Sequence, residues 1–311
     1  MKHLHALCLL AALIGSACTA AAQTYGARGP EEAPHRRQLW TVPSPDPGTR
    51  SHAVLFRPPG DGPFPLAVIA HASTQNALRR AQMPQPEYRA LASWFVSRGY
   101  AVLVPERPGH GVTDGRYLED QGGCDDADYL GAGRATADSI AAAMAEIRKQ
   151  PFIRSNGTIV VGHSAGGWGA LALAGASPPG VTAIVVFAPG RGGHANDRPN
   201  DVCAPQRLIA AAAIFGQTAH VPVIWLAARN DSYFSPAFSR RLADAFRKGG
   251  AKVDIRELPD FRSEGHWLAE SDGGDDIYGA AVDKALKTIA ATPTKKKMSA
   301  PERRPDATWA N

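Results

Sequence analysis

From Ser51 onward the chain alternates short, almost wholly apolar runs with longer stretches that carry apolar residues at helical spacing. Ala53–Arg57, Leu66–His71, Ala101–Pro105, Thr158–Gly162, Val181–Phe187, Pro222–Ala227 and Lys252–Leu258 read as strands. Glu87–Arg98, Ala127–Lys149, Ala165–Ala174, Gln206–Phe215, Pro236–Lys248 and Asp275–Ala290 read as helices, with Gly99, Pro151 and Gly249-Gly250 closing three of them. A strand that is apolar at every position must be covered on both faces. Strand–helix alternation supplies that cover, so the expected fold class is α/β: one domain with a mostly parallel central sheet and helices on both faces. In such sheets ligands bind outside the carboxyl ends of the strands, which is where chemistry should be sought.

The flanks read differently. Lys2, the apolar run Ala6–Ile14 and Ala20-Ala21-Ala22 have the layout of an export signal over residues 1–22, cleaved near Ala22-Gln23. The alternatives are a lipoprotein signal acylated at Cys18, although Gly15 stands where such signals prefer Leu or Val, and a buried N-terminal helix. Residues 23–48 carry Pro30, Pro34, Pro43, Pro45 and Pro47 and read as a linker or an irregular, Pro-rich lead-in, with one candidate edge strand at Gln38–Val42. The domain proper is expected over 49–291 and a basic, disordered tail over 292–311.

Most of the formal net charge of +5 belongs to the flanks. The tail holds Lys295, Lys296, Lys297, Arg303 and Arg304 against Glu302 and Asp306, and Lys2 lies in the leader. The nearly neutral body offers no footprint for nucleic acid. No apolar run reaches the ~18 residues of a membrane span, so an integral membrane protein is not expected. Export makes the expected location periplasmic or secreted, and it changes how the cysteines read. Cys8 and Cys18 leave with the leader, while Cys124 and Cys203 remain as an even pair in an oxidising compartment. A disulfide is expected, with two buried thiols as the alternative. Neither cysteine has a C-x-x-C or nearby His partner, so no metal is expected. Phosphate-loop, dinucleotide-turn and H-E-x-x-H motifs are missing from the sequence, and no cofactor is expected.

One segment carries nucleophile chemistry. Gly162-His163-Ser164-Ala165-Gly166 fits G-x-S-x-G, a weak pattern by itself that gains force from its setting. Thr158-Ile159-Val160-Val161 enters it as a strand and Ala165–Ala174 leaves it as a helix. So sharp a turn strains the backbone at Ser164, lifts its hydroxyl clear of the sheet, and needs glycines where neighbouring elements crowd in. The bland alternative is an ordinary strand-to-helix turn with a capping serine.

Over residues 50–290 the chain resembles the α/β-hydrolase superfamily, closest to the dienelactone-hydrolase-like serine esterases. The resemblance implies the chain order nucleophile, acid, histidine, with the acid after the second strand beyond the nucleophile and the histidine after the last strand. Asp231, in Arg229-Asn230-Asp231-Ser232, fits the acid, whose task is to fix the imidazole tautomer and stabilise the imidazolium. Asp254 and Asp260 fit less well, the first lying within a strand and the second too close to the histidine. His266, in Ser263-Glu264-Gly265-His266-Trp267, fits the base. His163 beside the nucleophile reads as packing. The oxyanion hole implied by the family uses two backbone N–H groups, one from Ala165 and one from His71-Ala72-Ser73. The family usually has His-Gly there; Ala72 replaces the glycine, which leaves Ala72 or Ser73 as donor, with Ser73 preferred. Two loops should wall the pocket, one following Ala101–Pro105 and ending near Cys124, the other following Val181–Phe187 and ending near Cys203. Arg107 and Arg191 on these loops read as solvated, with recognition of an anionic substrate group as the alternative.

The implied function is hydrolysis of small carboxylic esters through an acyl-enzyme by Ser164, Asp231 and His266. A prolyl-oligopeptidase-like serine peptidase shares the sheet and triad but usually carries a large N-terminal gating domain. A catalytically silent binding protein on the same scaffold is the alternative outside enzymes. Residues 188–221 hold one expected helix and a polar, glycine-rich remainder, too little apolar surface to cover a long acyl chain. The oligomeric state is not legible.

Overall fold

A computed structural model describes residues 25–291. The segments read as an export signal, the Ala22-Gln23 cleavage site, Cys18 and the basic tail lie outside the described residues. Strands β1 (Gly26–Glu32), β2 (Arg37–Pro43), β3 (Arg50–Phe56), β4 (Leu66–Ala70), β5 (Ala101–Pro105), β6 (Thr158–His163), β7 (Val181–Phe187), β8 (Val223–Ala228) and β9 (Val253–Leu258) form one sheet in the order β1-β2-β3-β5-β4-β6-β7-β8-β9. From β5 to β9 neighbours run parallel, whereas β1, β2 and β3 join antiparallel at one edge. The helices are α1 (Ala77–Ala81), α2 (Arg89–Val96), α3 (Tyr129–Ile147), α4 (Ala165–Gly175), α5 (Pro205–Gln217), α6 (Pro236–Lys248) and α7 (Asp275–Ala291).

The apolar runs are explained by the two cores. Along β4, Leu66, Val68 and Ala70 face α3, α4, α5 and α6, while Ala67 and Ile69 face α2 and α7. Along β8, Val223 and Trp225 take the first face and Ile224, Leu226 and Ala228 the second. Each large apolar side chain fully withdrawn from water contributes about 1.5–3 kcal/mol. Helix α4 is buried nearly all round, matching its unbroken run of small and apolar residues.

The lead-in differs from expectation. Residues 23–48 hold two strands, not one, and both belong to the sheet. The prolines are compatible because they avoid interior ladder positions: Pro30 is on the edge strand, Pro34 in the turn, Pro43 at the end of β2. Helix α1 and the 3-10 turn Gly111–Thr113 were not legible either; both are too short for a periodic signal. The helix expected over Glu87–Arg98 starts two residues late, at Arg89, because Tyr88 is left-handed at φ 49°.

The strand order sets the site. The chain passes from β4 to β5 on one side, then crosses to β6 on β4's other side. The loops leaving β4 and β6 therefore diverge and open a crevice at their carboxyl ends. The pairing of Ala70 with Gly162 brings His71-Ala72-Ser73 beside His163-Ser164-Ala165.

Candidate active site

Ser164 closes β6 and opens α4 at φ 53°, ψ −117°, a conformation that costs a residue with a Cβ on the order of 1–3 kcal/mol. Its neighbours hold it there. The Ser164 N–H donates to Phe187 O on β7 at 3.0 Å, and Ser164 O accepts Trp168 N–H at 2.9 Å and Gly190 N–H at 3.2 Å. Glycine is needed at both flanks: a Cβ on Gly162 would strike the backbone of Gly166 and Gly167, and one on Gly166 would strike the carbonyls of Ala70 and His71.

Asp231 follows β8 and is buried, its Oδ1 accepting the N–H groups of Tyr233 at 2.8 Å and Phe234 at 2.9 Å. His266 lies in the 3-10 turn Gly265–Ala269 after β9, and its Nδ1 sits 3.3 and 3.2 Å from the two Asp231 oxygens. The two loops are locked together. Glu264 accepts the His266 N–H at 2.9 Å, the Ser232 N–H at 3.1 Å and the Ser232 hydroxyl. Asn230 Oδ1 accepts Phe261 N–H at 3.0 Å, and its amide donates to Phe261 O and Arg262 O. Tyr233 stacks on the His266 ring at 4.1 Å and 20°, and His194 stacks on the far face of Tyr233 at 3.8 Å.

The structure thus brings Asp231 and His266 into direct contact, and Ser164 occupies the strained turn next to His163. Among the described residues the Ser164 hydroxyl has no hydrogen-bond partner; the link runs through the adjacent residue, since His163 Nε2 reaches His266 O at 2.7 Å.

The loop after β4 is held from several sides. Ala72 N–H donates to Tyr88 Oη at 3.0 Å, so that group is already engaged. Ser73 N–H has no partner among the described residues, while its hydroxyl donates to His110 Nε2 at 2.7 Å. His110 Nδ1–H faces the carbonyls of Arg107 and Pro108 at 3.1 Å, and burial lowers the pKa of this imidazole to about 4. His71 accepts Arg107 N–H on Nε2 at 3.1 Å, and burial and then the Arg107 charge hold it neutral, well below the usual range. At the start of α4 the Ala165 N–H has no helical carbonyl behind it, the general condition of a first-turn donor.

Arg107 and Arg191 are not solvated, contrary to the sequence expectation. Both are buried on a single carboxylate, Glu119. Arg107 spans both oxygens, reaching Oε1 at 2.5 Å through Nε and Oε2 at 3.2 Å through Nη2, while Arg191 pairs with Oε2 and the Thr136 hydroxyl donates to Oε2 at 2.9 Å. The two guanidiniums outweigh the burial of Glu119 and hold its carboxyl well below the usual range. Arg107 Nη1 also donates to His71 O at 2.8 Å, so this buried cluster braces the loop after β4 and is not free for an anion. Glu119 has no sequence signal; only the contact reveals it. The loops carrying the arginines are tied by a bond between Cys124 and Cys203, 79 residues apart, and Cys203 N–H donates to Gly192 O at 2.8 Å.

A serine held in a strained strand-to-helix turn at a switch point, with a carboxylate–imidazole pair on later loops of a mostly parallel sheet, is the arrangement of the α/β-hydrolase class. Within it, the family model of dienelactone hydrolases matches residues 52–289, and the chain belongs to the dienelactone hydrolase family. Among curated proteins none matches the sequence. Solved structures with a similar fold include a Klebsiella pneumoniae protein described as a dienelactone hydrolase, at 15% identity and TM-score 0.52 over 82% of this chain and 98% of that one. An esterase of Pyrococcus furiosus is similar at 13% identity and TM-score 0.53, over 81% of this chain and 92% of that one. An acylaminoacyl peptidase of Pyrococcus horikoshii is similar at 14% identity and TM-score 0.55, over 90% of this chain but 44% of that one, so this chain spans under half of the peptidase. Among the described residues no helix is long and apolar enough to cross a membrane.

Proposed function

We propose that this hydrolase is an exported serine esterase that cleaves small carboxylic esters through an acyl-enzyme. The observation that carries the proposal is the buried Asp231–His266 pair, tied through the His266 carbonyl to His163, the neighbour of the strained Ser164. Ser164 Oγ attacks the ester carbonyl while His266 Nε2 takes its proton. The tetrahedral oxyanion is received by the N–H groups of Ala165 and Ser73, the latter preferred because Ala72 N–H is engaged by Tyr88. His266 returns the proton to the leaving alkoxide, which departs as the alcohol and leaves the acyl group on Ser164. Water, deprotonated by the same imidazole, then releases the acid and restores the serine. Asp231 keeps the imidazole with its proton on Nδ1 and stabilises the imidazolium in both half-reactions.

A fluorophosphonate probe tests the serine mechanism directly. The parent should be labelled at Ser164, and Ser164→Ala should lose labelling together with a factor on the order of 10⁴–10⁶ in kcat. Labelling elsewhere, or a tenth of the parent rate left in Ser164→Ala, refutes it. An unlabelled, inactive parent would indicate a silent binding protein. Rates on a panel of esters, with amide and lactone controls, separate an esterase from a peptidase.

A further inference from the structure

His163 reads in the sequence as packing beside the nucleophile, yet every polar atom of its ring is used. Its Nε2 lies 2.7 Å from His266 O, and its Nδ1 lies 2.9 Å from Tyr88 Oη. The same Tyr88 oxygen accepts Ala72 N–H at 3.0 Å. The proton positions follow from the partners and from burial, which keeps the ring neutral. A carbonyl can only accept, so the proton of His163 is on Nε2. Nδ1 of the neutral ring is then an acceptor, so Tyr88 must donate to it. Tyr88 in turn has its lone pairs free for the Ala72 N–H. The chain Ala72 N–H to Tyr88 O–H to His163 Nε2–H to His266 O is therefore one directed wire in which each hydrogen bond has a single possible sense.

Its ends are the two backbone segments that must hold station about Ser164. Ala72 precedes Ser73, whose N–H has no partner among the described residues. At the other end the wire grips the carbonyl of His266 itself. The middle residue, His163, is covalently joined to Ser164. Four elements that the fold brings together from distant parts of the chain, the β4 loop, the start of α2, the end of β6 and the turn after β9, are thus referenced to one point. The wire is shielded from bulk solvent, because Tyr88, His163 and His266 are all buried, and it stays in one protonation state: burial, then the neighbouring His266, lower His163 to about 3, and burial raises the Tyr88 phenol well above its usual range. The left-handed backbone of Tyr88 is in keeping with a residue whose placement the fold over-determines.

We propose that His163 and Tyr88 are positioning residues that hold the oxyanion loop and the catalytic histidine in fixed register with the nucleophile. This inference rests on Ser164 and His266 acting as proposed above. It is tested with Tyr88→Phe, His163→Leu, the double variant and His163→Gln, measured for kcat and KM on a short-chain nitrophenyl ester well below each melting temperature. Each single variant should lower kcat about tenfold or more with KM within about twofold, since the wire sets geometry in the transition state and not substrate contact. The double variant should be no worse than the poorer single one, because either change cuts the same wire. His163→Gln, whose amide can still donate to His266 O, should recover part of the loss. A parental kcat in Tyr88→Phe, or losses that multiply in the double variant, overturns the proposal.

A second measurement needs no variant. In ¹⁵N-histidine spectra of the intact parent, His163 should be neutral and protonated on Nε2 from pH 5 to 8. A charged ring or an Nδ1-protonated one overturns the wire. Failure of the parent to react with a fluorophosphonate would overturn the esterase mechanism instead, and the spectra would still decide the wire.

Discussion

Replacing Glu119 with Gln tests how the catalytic loops are held. The substitution keeps shape and one carbonyl acceptor but removes the one carboxylate among the described residues on which Arg107 and Arg191 converge. Arg107 and Arg191 are 2% and 4% exposed, and Glu119 is 2% exposed. Removing one partner of a buried ion pair leaves charge without compensation and costs about 3–5 kcal/mol. For a domain of this size that corresponds to a fall in Tm of roughly 6–20 °C. Glu257→Gln is the control: its pair with Arg240 is about half exposed, so its loss should lower Tm by no more than about 4 °C. The pH dependence has a definite sign. The folded pKa of Glu119 is depressed by Arg107 and Arg191, so its contribution is complete above the unfolded glutamate value of ~4.3 and is lost as pH falls through the lower folded value. Thermal scans from pH 3 to 8 should therefore show a constant gap between parent and Glu119→Gln above about pH 5, narrowing below it. A Glu119→Gln protein as stable as the parent at pH 7, or a gap that widens toward acid, would refute the assignment of Glu119 as the anchor of both arginines.

Asp231→Asn should fold, because Asn can still accept from Tyr233 and Phe234 N–H, but should lose about 10⁴ in kcat through the wrong imidazole tautomer; a loss under tenfold would remove Asp231 from the triad. The rise of kcat/KM with pH should follow a single histidine ionisation, since His71, His110 and His163 are all held neutral by burial; two resolved ionisations between pH 5 and 8 would contradict this. Non-reducing peptide mapping should find Cys124 joined to Cys203, and reduction should cost up to about 4.5 kcal/mol for a loop of 79 residues in the chain-entropy model; two free thiols in freshly isolated protein would contradict the pairing. kcat/KM should peak at acetyl to butyryl esters and fall by octanoyl, because residues 188–222 between β7 and β8 hold α5 and a polar loop rather than an apolar lid; a steady rise to dodecanoyl esters would disprove it.

The parts of this protein that were legible in its sequence are those with local causes. Strands apolar at every position demand cover on both faces, and that demand alone dictates helices on both sides of a parallel sheet. Ser164 was legible because the strained turn needs glycines at fixed offsets in one contiguous segment. Asp231 and His266 carry no such local signature; only the chain order implied by the family resemblance pointed to them, and the fold then set them 3.2 Å apart. What the tertiary structure alone decided are the pairings between distant segments. Glu119 lies between Arg107 and Arg191 because two loops meet above the sheet. Tyr88 takes the Ala72 N–H because the fold brings the start of α2 against the β4 loop. Residues 26–43 join the sheet because an antiparallel edge offers them hydrogen-bond partners, and the prolines, confined to the edge, the turn and the strand end, do not forbid it. Each is a contact over many residues of separation, and a buried polar group finds its partner wherever the packed chain has placed one, at a distance along the sequence that no periodicity encodes.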